Sequence, residues 1–271
     1  MLACSSISQI GFIILGIGAS AYLGYEGAMG LAGSIYHILN HAFFKSTLFL
    51  AAGAVIYLTG EINMSKLGGL RYRMPFTSVI FIIASLGILG IPLFNGYASK
   101  TLLPHAIVEA FEHHHLYSLF IAEKLFTLAS AGTVCYFLKF IYFTIWRPAP
   151  PTLKANKPEP LLMKIAMGTL ALIMLALGVS PVLTLRTFIS PALSNFTFDS
   201  YMVTYLLIVN IWTLGDLGAV ALALLIGFAL FYLLTFKTKA YQLKLPEWFG
   251  ADYIGILAGK AAATTWHIVT L

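Results

Sequence analysis

The stretch GSIYHILNHAFFKSTLFLAAGAVIY, residues 33–57, carries ionisable side chains inside an otherwise apolar run. His37, His41 and Lys45 follow one another at four-residue intervals. On an α-helix this spacing stacks the three side chains on one face, and Asn40 lies near the same side. About 25 residues are long enough to cross a bilayer. The stretch therefore predicts a membrane-spanning helix with a row of titratable groups along one face.

A row of this kind is unusual inside a membrane. Charged groups in a membrane helix are costly, and they usually face the interior of a helix bundle or a water-filled cavity. A single histidine would be typical of a satisfied core residue, and Lys45 alone would be typical of a lysine whose head group snorkels to the surface. Three groups in register predict a proton path instead. Histidine suits this role because it exchanges a proton near physiological pH.

The composition of the chain is that of an integral membrane protein. Of its 271 residues 59% are hydrophobic and 10% charged, and the mean hydropathy is +0.88, whereas soluble domains carry about 25% charged residues. The net charge of +6 is spread over several loops, which indicates membrane-flanking charge and argues against nucleic-acid binding. Cys4 and Cys135 form no CxxC pair, so no disulfide framework, iron–sulfur cluster or zinc site is expected. We expect no removable signal peptide.

The apolar segments predict an all-α integral membrane protein with about seven transmembrane helices. The predicted spans cover residues 2–22, 33–57, 76–89, 98–112, 116–146, 161–185 and 216–236. For the apolar patch 201–212 the pattern leaves open whether it lies in the membrane interface or dips into the bilayer. Residues 237–271 mix aromatic and charged side chains, which favours an amphipathic tail in the interface.

The segment GIPLFNGYASK, residues 90–100, interrupts the apolar pattern. Pro92 lacks a backbone donor, and Gly90 and Gly96 tolerate backbone angles outside the helical region. These three residues form a candidate hinge, and the segment predicts either a broken helix or a loop followed by a helix. Irregular backbone at membrane depth is tolerated only inside protein or beside water.

Further ionisable residues fall within the predicted spans and extend the candidate proton relay. They are Lys100, His105, Glu109 and Lys124. Lys139, by contrast, stands near the end of its span beside aromatic residues, which is typical of an interfacial anchor. The consecutive histidines 113–115 do not converge well on one ion from a helix, so a solvated loop is the favoured interpretation and no metal site is predicted.

The charge pattern leaves the membrane orientation open. Basic residues concentrate in the loops 60–75 and 147–160. Cytoplasmic loops carry an excess of Lys and Arg, but three predicted spans separate these two loops and place them on opposite faces. Either the predicted number of spans is off by one or a partner protein determines the topology.

Four motifs in a fixed order carry a resemblance to a known family. They are SSISQIGFIILGIG, HILNHAFFKSTLFLAAGAVI, KLGGLRYRMP and GIPLFNGYASK, all within residues 2–146. This part of the chain resembles the antiporter-like membrane subunits of respiratory complex I, of membrane-bound hydrogenases and of Mrp-type cation/proton antiporters. Beyond residue 146 only the hydrophobicity supports the resemblance.

The resemblance implies a domain organisation. A full member of this family has about fourteen spans with two inverted five-helix repeats, each with a half-channel and a broken helix. This chain resembles the second repeat (residues 1–146), followed by additional transmembrane helices (147–236) and the interfacial tail (237–271). Other membrane subunits are expected as partners, including one that supplies the first repeat. The expected location is a prokaryotic cytoplasmic membrane.

The resemblance also implies functional roles. The family's central relay lies on the helix that matches His37, His41 and Lys45, and its exit-side lysine or glutamate matches Lys100. The implied function is proton translocation in a redox-driven respiratory or hydrogenase complex. The chain has no nucleotide-binding loop, CxxCH motif or cluster-ligating cysteines. No redox chemistry or cofactor is therefore expected in it, and iron–sulfur clusters, flavin or quinone are expected only in partner subunits.

Three other functions remain open. A component of an Mrp-type sodium/proton antiporter without a redox partner carries the same motifs, and the subunits that co-purify would distinguish the two. A b-type cytochrome would use His37 or His41 as a haem ligand and would need His105 as the second, and a Soret absorption band would identify it. A structural membrane scaffold would use the row only for packing.

Overall fold

A computed structural model describes residues 1–151, 153 and 158–238 of the chain. The regular structure of these residues is entirely helical, as predicted. The helices are α1 (Leu2–Leu23), α2 (Ala28–Thr59), α3 (Leu70–Arg73), α4 (Pro75–Leu89), α5 (Gly96–His114), α6 (Tyr117–Ile141), α7 (Leu161–Val179), α8 (Pro181–Thr184), α9 (Ser190–Leu193), α10 (Ser200–Tyr205) and α11 (Leu214–Tyr232). Short π-helical turns follow α6, α8 and α11, at Tyr142–Trp146, Leu185–Ile189 and Leu233–Lys237.

Among the described residues, five helical segments are long and apolar enough to cross a membrane. They are Leu2–Glu26, Ala28–Thr59, Tyr117–Trp146, Leu161–Val179 and Leu214–Lys237. The prediction of an integral membrane protein is thereby confirmed. The chain divides into two compact units, Met1–Phe231 and Tyr232–Leu271. In the second unit the structure describes residues 232–238, so the predicted interfacial tail lies almost wholly outside the described residues.

Helix α2 is the element around which the first unit packs. Its 32 residues contact α1, α4, α5 and α7. The contact with α1 is close because small residues meet there. A Cβ atom at Gly30 would touch the backbone oxygen of Gly16, and the Ser34 hydroxyl lies 3.0 Å from the carbonyl oxygen of Ile13. Such close approach favours helix association in lipid, where packing and hydrogen bonds replace the hydrophobic driving force.

Helices α4 and α5 form one interrupted pass beside α2. On the C-terminal half of α2, Phe44 and Leu58 share a buried cluster with Ile80, Phe81 and Ile88 of α4. Helix α5 continues in the same direction and packs on the N-terminal half of α2. The length of α2 matches the combined length of α4 and α5. The 32 residues of α2 rise about 48 Å, and the 15 residues of α4 and 19 residues of α5 together rise about 51 Å.

The break itself covers residues 90–95. Gly90 and Leu93 have φ angles of 77° and 72°, both in the left-handed region. Pro92 lies inside the break, and α5 begins at Gly96. Of the two predicted arrangements, the structure therefore has the broken helix rather than a loop between two complete spans.

In the described part of the chain, the interrupted pass and the five long apolar helices give six membrane passes instead of the predicted seven. The segments 76–89 and 98–112, which the apolar pattern separates, are its two halves. A proline and two glycines between two short apolar runs look alike in a break and in a loop, so the local pattern does not distinguish them. With one pass fewer, the loops 60–75 and 147–160 are separated by two passes and belong on the same face.

Direct contacts between these two basic loops confirm that they share a face. The backbone N–H of Gly69 donates to the carbonyl oxygen of Arg147 at 2.6 Å. The guanidinium of Arg147 in turn donates to the carbonyl oxygen of Ser65 at 3.1 Å, and that of Arg73 donates to the carbonyl oxygen of Leu153 at 2.7 Å. The positive-inside rule is now satisfied, and it favours the cytoplasmic side for this face.

The apolar patch 201–212 dips into the protein. Leu206 and Ile211 are buried. The Tyr97 hydroxyl donates to the carbonyl oxygen of Ile211 at 2.6 Å, and the Tyr97 ring stacks on Trp212 with centroids 4.7 Å apart. These contacts cover irregular backbone with protein, which is the condition for such backbone within a membrane. Leu206, Ile211 and Trp212 thus pack one side of the patch against the protein, and the depth of the patch in the membrane stays a prediction.

Gly96→Ala is expected to destabilise the break. A Cβ atom at this position would overlap the carbonyl oxygen of Gly87, and the adjacent Asn95 is fully buried. Overpacking of this kind costs about 1–3 kcal/mol, so we expect a lower midpoint of thermal unfolding in detergent. Gly132→Ala on α6, where a Cβ meets nothing within 4 Å, is the control and should be neutral. An unchanged midpoint for Gly96→Ala would contradict the tight packing at the break.

Candidate functional site

His37 lies at the centre of the buried polar residues of the first unit. Its side chain is fully buried on α2, between Gln9 of α1 and Ser99 of α5. Nε2 lies 3.0 Å from the Gln9 amide oxygen, and Nδ1 lies 3.0 Å from the Ser99 hydroxyl oxygen. Because an amide oxygen only accepts, Nε2 carries the hydrogen, and in the neutral ring Nδ1 accepts from Ser99. One imidazole thus links three helices.

Two buried asparagines tie α2 to the helix break. The Asn40 amide donates to the carbonyl oxygen of Asn95 at 2.6 Å and to the Ser99 hydroxyl at 3.2 Å. The Asn95 amide donates to the carbonyl oxygen of Asn40 at 3.4 Å. The Asn40 amide thus bonds to the carbonyl oxygen of the residue that precedes α5, and the two asparagines join α2 to the break. Ser99 therefore contacts both the His37 ring and the Asn40 amide.

Lys45 lies at the end of the row that is nearest to the start of α1. The side chain is buried, and its ammonium donates to the carbonyl oxygen of Leu2 at 2.6 Å and to the Ser5 hydroxyl. Hydrogen bonds from a charged donor are stronger than neutral ones. This buried lysine is therefore held by neutral oxygen atoms of α1, and its charge is solvated without being cancelled.

His41 lies between Lys45 and His37 along α2. Its side chain is half-buried, and its ring meets Phe44 edge-on with centroids 5.5 Å apart. Among the described residues its Nε2 has no hydrogen-bond partner although the atom is buried. A buried polar atom of this kind is normally satisfied by water. The predicted row is therefore enclosed by protein at both ends and suited to water at its middle member.

Lys100 lies beyond the break, near the start of α5. It is 7% exposed, and within the described part of the chain its ammonium has no hydrogen-bond partner. The ammonium lies 5.2 Å from the centroid of the Phe12 ring, and the same ring meets His37 edge-on at 6.1 Å. Phe12 therefore contacts both His37 and Lys100. The cation–π contact contributes about 0.5–2 kcal/mol in favour of the charged lysine.

A cavity of about 80 Å³ adjoins Lys100 between α5, α6 and α11. Its polar lining residues are Lys100, Thr101, Glu123, Thr127, Ser130 and Asp216. The lining also includes Gly90, so the cavity reaches the break. A polar cavity with several donors and acceptors is suited to ordered water. The interrupted helix therefore borders a site that can hold water, as the sequence pattern predicts for irregular backbone in a membrane.

His105 faces an acid on α11 that the sequence pattern does not single out. Its Nε2 lies 2.7 Å from Oδ1 of Asp216, and the Thr213 hydroxyl donates to Oδ2 at 2.6 Å. An acidic residue at the start of an apolar helix is common because it complements the helix dipole. Only the contact with His105 distinguishes Asp216 from an ordinary residue of this kind.

Two other predicted relay residues lie apart from His37 and Lys100. Glu109 is further along α5, and its buried Oε2 has no hydrogen-bond partner among the described residues. Lys124 is exposed and forms an ion pair with Glu123 at 2.6 Å. Successive residues on a helix point about 100° apart. Glu123 therefore lines the cavity while its neighbour Lys124 faces away. The position of Lys124 deep within its predicted span does not show which side of the helix it occupies.

The histidines offer no evident site for a metal or a haem. Among the described residues, no group of three or more His, Cys, Asp or Glu side chains is arranged to hold a metal ion. Both ring nitrogens of His37 are engaged by protein groups, and His105 pairs with Asp216. The b-type cytochrome hypothesis needs imidazole nitrogens directed at an iron, and these two do not supply them.

Residues 1–128 match the family described as NADH:quinone oxidoreductase/Mrp antiporter, TM. The match covers slightly less than half of the chain and confirms the predicted resemblance for these residues. The matched segment contains the row on α2, the break and Lys100, whereas Asp216 lies beyond it.

The chain is similar to named cation antiporter and respiratory subunits. It is 36% identical to Na(+)/H(+) antiporter subunit A1 of Staphylococcus haemolyticus (strain JCSC1435), over 58% of this chain and 21% of that protein. It is 36% identical to NADH-ubiquinone oxidoreductase chain 5 of Metridium senile, over 53% of this chain and 22% of that protein. The chain thus spans about a fifth of the length of these curated relatives.

The fold of the chain is also similar to a solved structure. The chain superimposes on part of the structure of the Mrp complex from Dietzia sp. DQ12-45-1b with a TM-score of 0.71. The match covers 99% of this chain and 28% of that chain, at 21% sequence identity. At this identity the similarity establishes the fold.

Proposed function

We propose that the chain is an ion-translocating membrane component of an Mrp-type Na⁺/H⁺ antiporter. In this proposal, protons move along α2 between Lys45 and His37 and cross the break to Lys100. The observation that carries the proposal is the buried set of polar groups that α1, α2 and α5 place around His37. Ionisable side chains are rare inside membranes, and where they occur they mark ion and proton paths.

The Ser99 hydroxyl provides a physical basis for the step across the break. It has one hydrogen and lies 3.0 Å from Nδ1 of His37 and 3.2 Å from the carbonyl oxygen of Gly96. When the ring is neutral, the hydroxyl donates to Nδ1. When Nδ1 gains a proton, the new N–H donates to Ser99 and the hydroxyl turns to Gly96. The protonation state of His37 is thus communicated to the start of α5, where Lys100 lies.

Charge repulsion couples the members of the row. Neighbouring groups on this helix face are about 6 Å apart, and two positive charges at that distance repel by about 3 kcal/mol at an effective dielectric constant of about 20. Simultaneous protonation of His37, His41 and Lys45 is therefore disfavoured. A proton that arrives at one end promotes the release of another further along, and the three groups titrate as a unit.

The antiporter is preferred to a redox-driven complex because of the relatives. Na(+)/H(+) antiporter subunits A1 from Staphylococcus haemolyticus and Staphylococcus aureus are 36% identical to 58% and 63% of the chain. We further propose that the chain lies in a bacterial cytoplasmic membrane and assembles with other membrane subunits, one of which supplies the first repeat. We also propose that the chain is divided into the second repeat (residues 1–146), additional transmembrane helices (147–236) and an interfacial tail (237–271).

A proton-translocating subunit of a redox-driven complex is the second candidate. The 36% identity to NADH-ubiquinone oxidoreductase chain 5 of Metridium senile favours it. The row, the break and Lys100 would act in the same way in both candidates. The difference lies in the driving force, which would be a sodium gradient in the first and electron transfer through flavin, iron–sulfur clusters or quinone in partner subunits in the second.

Inverted membrane vesicles from cells that express the chain with its partner subunits distinguish the two candidates. The vesicles are acidified by respiration with succinate, and acridine orange fluorescence reports the pH gradient. For the antiporter, we expect added NaCl to release protons from the vesicles in a manner that depends on the chain, because sodium exchanges for protons. Choline chloride is the control for ionic strength. A sodium response that survives deletion of the gene, with chain-dependent acidification by NADH, would favour the second candidate instead.

A further inference from the structure

The cavity beside Lys100 contains buried polar atoms that protein groups do not satisfy. Within the described part of the chain, neither the Lys100 ammonium nor the Ser130 hydroxyl has a hydrogen-bond partner. Both residues line the cavity, and both are more than nine-tenths buried. Buried polar groups in native proteins are paired with protein or with water. The cavity is therefore suited to water that would bond to the Lys100 ammonium.

Asp216 lines the same cavity from α11 and is held in a defined position. Its Oδ2 accepts from the Thr213 hydroxyl, whose oxygen in turn accepts from the Asp216 backbone N–H at 3.1 Å. Its Oδ1 faces Nε2 of His105. The side chain of Asp216 is 10% exposed and that of His105 is 32% exposed. The pair therefore connects the inner cavity with a more exposed position on α5.

We propose that Asp216 is the acceptor that takes the proton from Lys100, and that His105 passes it on to solvent. The proposal rests on the proposed function and names a group for its outlet side. An N–H bond of the Lys100 ammonium breaks as a cavity water accepts the proton, and an O–H bond forms on Asp216. A neutral amine and a carboxylic acid result. The neutral His105 ring then accepts the proton at Nε2 and releases one from Nδ1.

The other acid of the cavity is less suited to this role. The charged and titratable groups around the cavity are Lys100 and His105 from α5, Glu123 from α6 and Asp216 from α11. Glu123 already pairs with the ammonium of Lys124 at 2.6 Å. Asp216 has a titratable partner instead, so a proton on its carboxylate can move on.

The variant Asp216→Asn tests whether Asp216 accepts a proton or only makes structural contacts. Asparagine keeps one oxygen that can accept from the Thr213 hydroxyl, and its amide N–H can donate to Nε2 of His105, but it cannot take up a proton. In the vesicle assay we expect the rate of proton movement, at equal amounts of chain, to fall at least about tenfold. Asp216→Glu keeps an acceptor and should recover most of the rate. Asp199→Asn, which removes a half-buried carboxylate that caps α10 away from the cavity lining, is the matched control and should keep the wild-type rate.

These variants distinguish a failure of the role proposed for Asp216 from a failure of the proposed function. A wild-type rate for Asp216→Asn, together with an inactive Lys100→Ala, would overturn the role of Asp216 and leave the proposed function standing. A wild-type rate for Lys100→Ala would overturn the proposed function itself. If Asp216→Asn fails to reach the membrane, Asp216→Glu still decides, because an inactive but normally inserted glutamate variant contradicts a simple acceptor.

Thiol labelling tests the water in the cavity without measuring transport. In a chain with Cys4→Ser and Cys135→Ser, the variant Ser130→Cys places a thiol on the cavity wall. We expect N-ethylmaleimide to modify it, because the reaction needs a thiolate and therefore water. Thr133→Cys on the same helix is the control, since Thr133 is fully buried and is not part of the cavity lining. Equal resistance of both thiols to labelling would overturn the proposal that water in this cavity carries the proton away from Lys100.

Discussion

Lys100→Ala is expected to abolish proton movement while the chain still inserts and assembles. Lys100 is buried beyond the break, next to the Phe12 ring that also contacts His37. Alanine removes the group that exchanges a proton between the imidazole and the cavity, and it leaves an apolar gap there. We expect the rate in inverted vesicles to fall by at least about a hundredfold, and the amount of chain in the membrane to stay unchanged.

Two further lysine variants make this result interpretable. Lys100→Arg keeps the positive charge, but an arginine does not release its proton in a protein, so the arginine variant should be as inactive as alanine. Lys139→Ala removes a half-buried lysine near the end of α6 and should keep the wild-type rate. Normal transport by Lys100→Arg would show that a fixed charge suffices, and normal transport by Lys100→Ala would favour the structural scaffold.

Replacement of His37 is expected to affect transport and stability in different ways. Glutamine keeps a side chain that hydrogen-bonds but does not titrate, so His37→Gln should lose transport and keep most of the stability. Leucine leaves Gln9 and Ser99 without their partner in a buried site. Each unsatisfied buried group costs about 1–3 kcal/mol. We therefore expect His37→Leu to lose transport and also to unfold at a clearly lower temperature in detergent.

The measurements are the vesicle assay and thermal unfolding of the purified chain. His114→Gln replaces an exposed histidine at the end of α5 and is the control for both. If His37→Gln transports protons at the wild-type rate, titration of the ring is not part of the path. If His37→Leu is as stable as the wild type, the hydrogen bonds to Gln9 and Ser99 do not hold α1, α2 and α5 together.

Local chemistry determines the class of the protein and the row on α2. Hydrocarbon excludes charge, so long apolar runs predict membrane helices without knowledge of the fold. The helical repeat depends on the backbone alone, so His37, His41 and Lys45 share a face wherever α2 lies. The polar groups of such a face must be covered by protein or water. These arguments use one segment at a time, and the structure has α2 where they predict a helix.

The partners of the row depend on residues that are distant in sequence. His37 contacts Gln9 and Ser99, which are 28 and 62 positions away, and His105 contacts Asp216 across 111 positions. No local pattern marks such pairs. In a soluble protein the apolar face of a helix points inward, but in lipid both the inner and the outer face are apolar. Periodicity therefore gives little information about which face of a membrane helix meets its neighbours.

The interrupted pass likewise depends partly on local sequence and partly on contacts with distant residues. Gly90 and Pro92 predict that a helix ends, because their backbone preferences act locally. Whether the chain then turns back or continues depends on what lies beside it. Here the Asn40 amide of α2 bonds to the carbonyl oxygen of Asn95 in the break, and α4 and α5 pack end to end along α2. Local backbone preferences therefore predict the interruption, whereas packing against α2 determines how the chain continues after it, because irregular backbone within a membrane must be covered by protein or water.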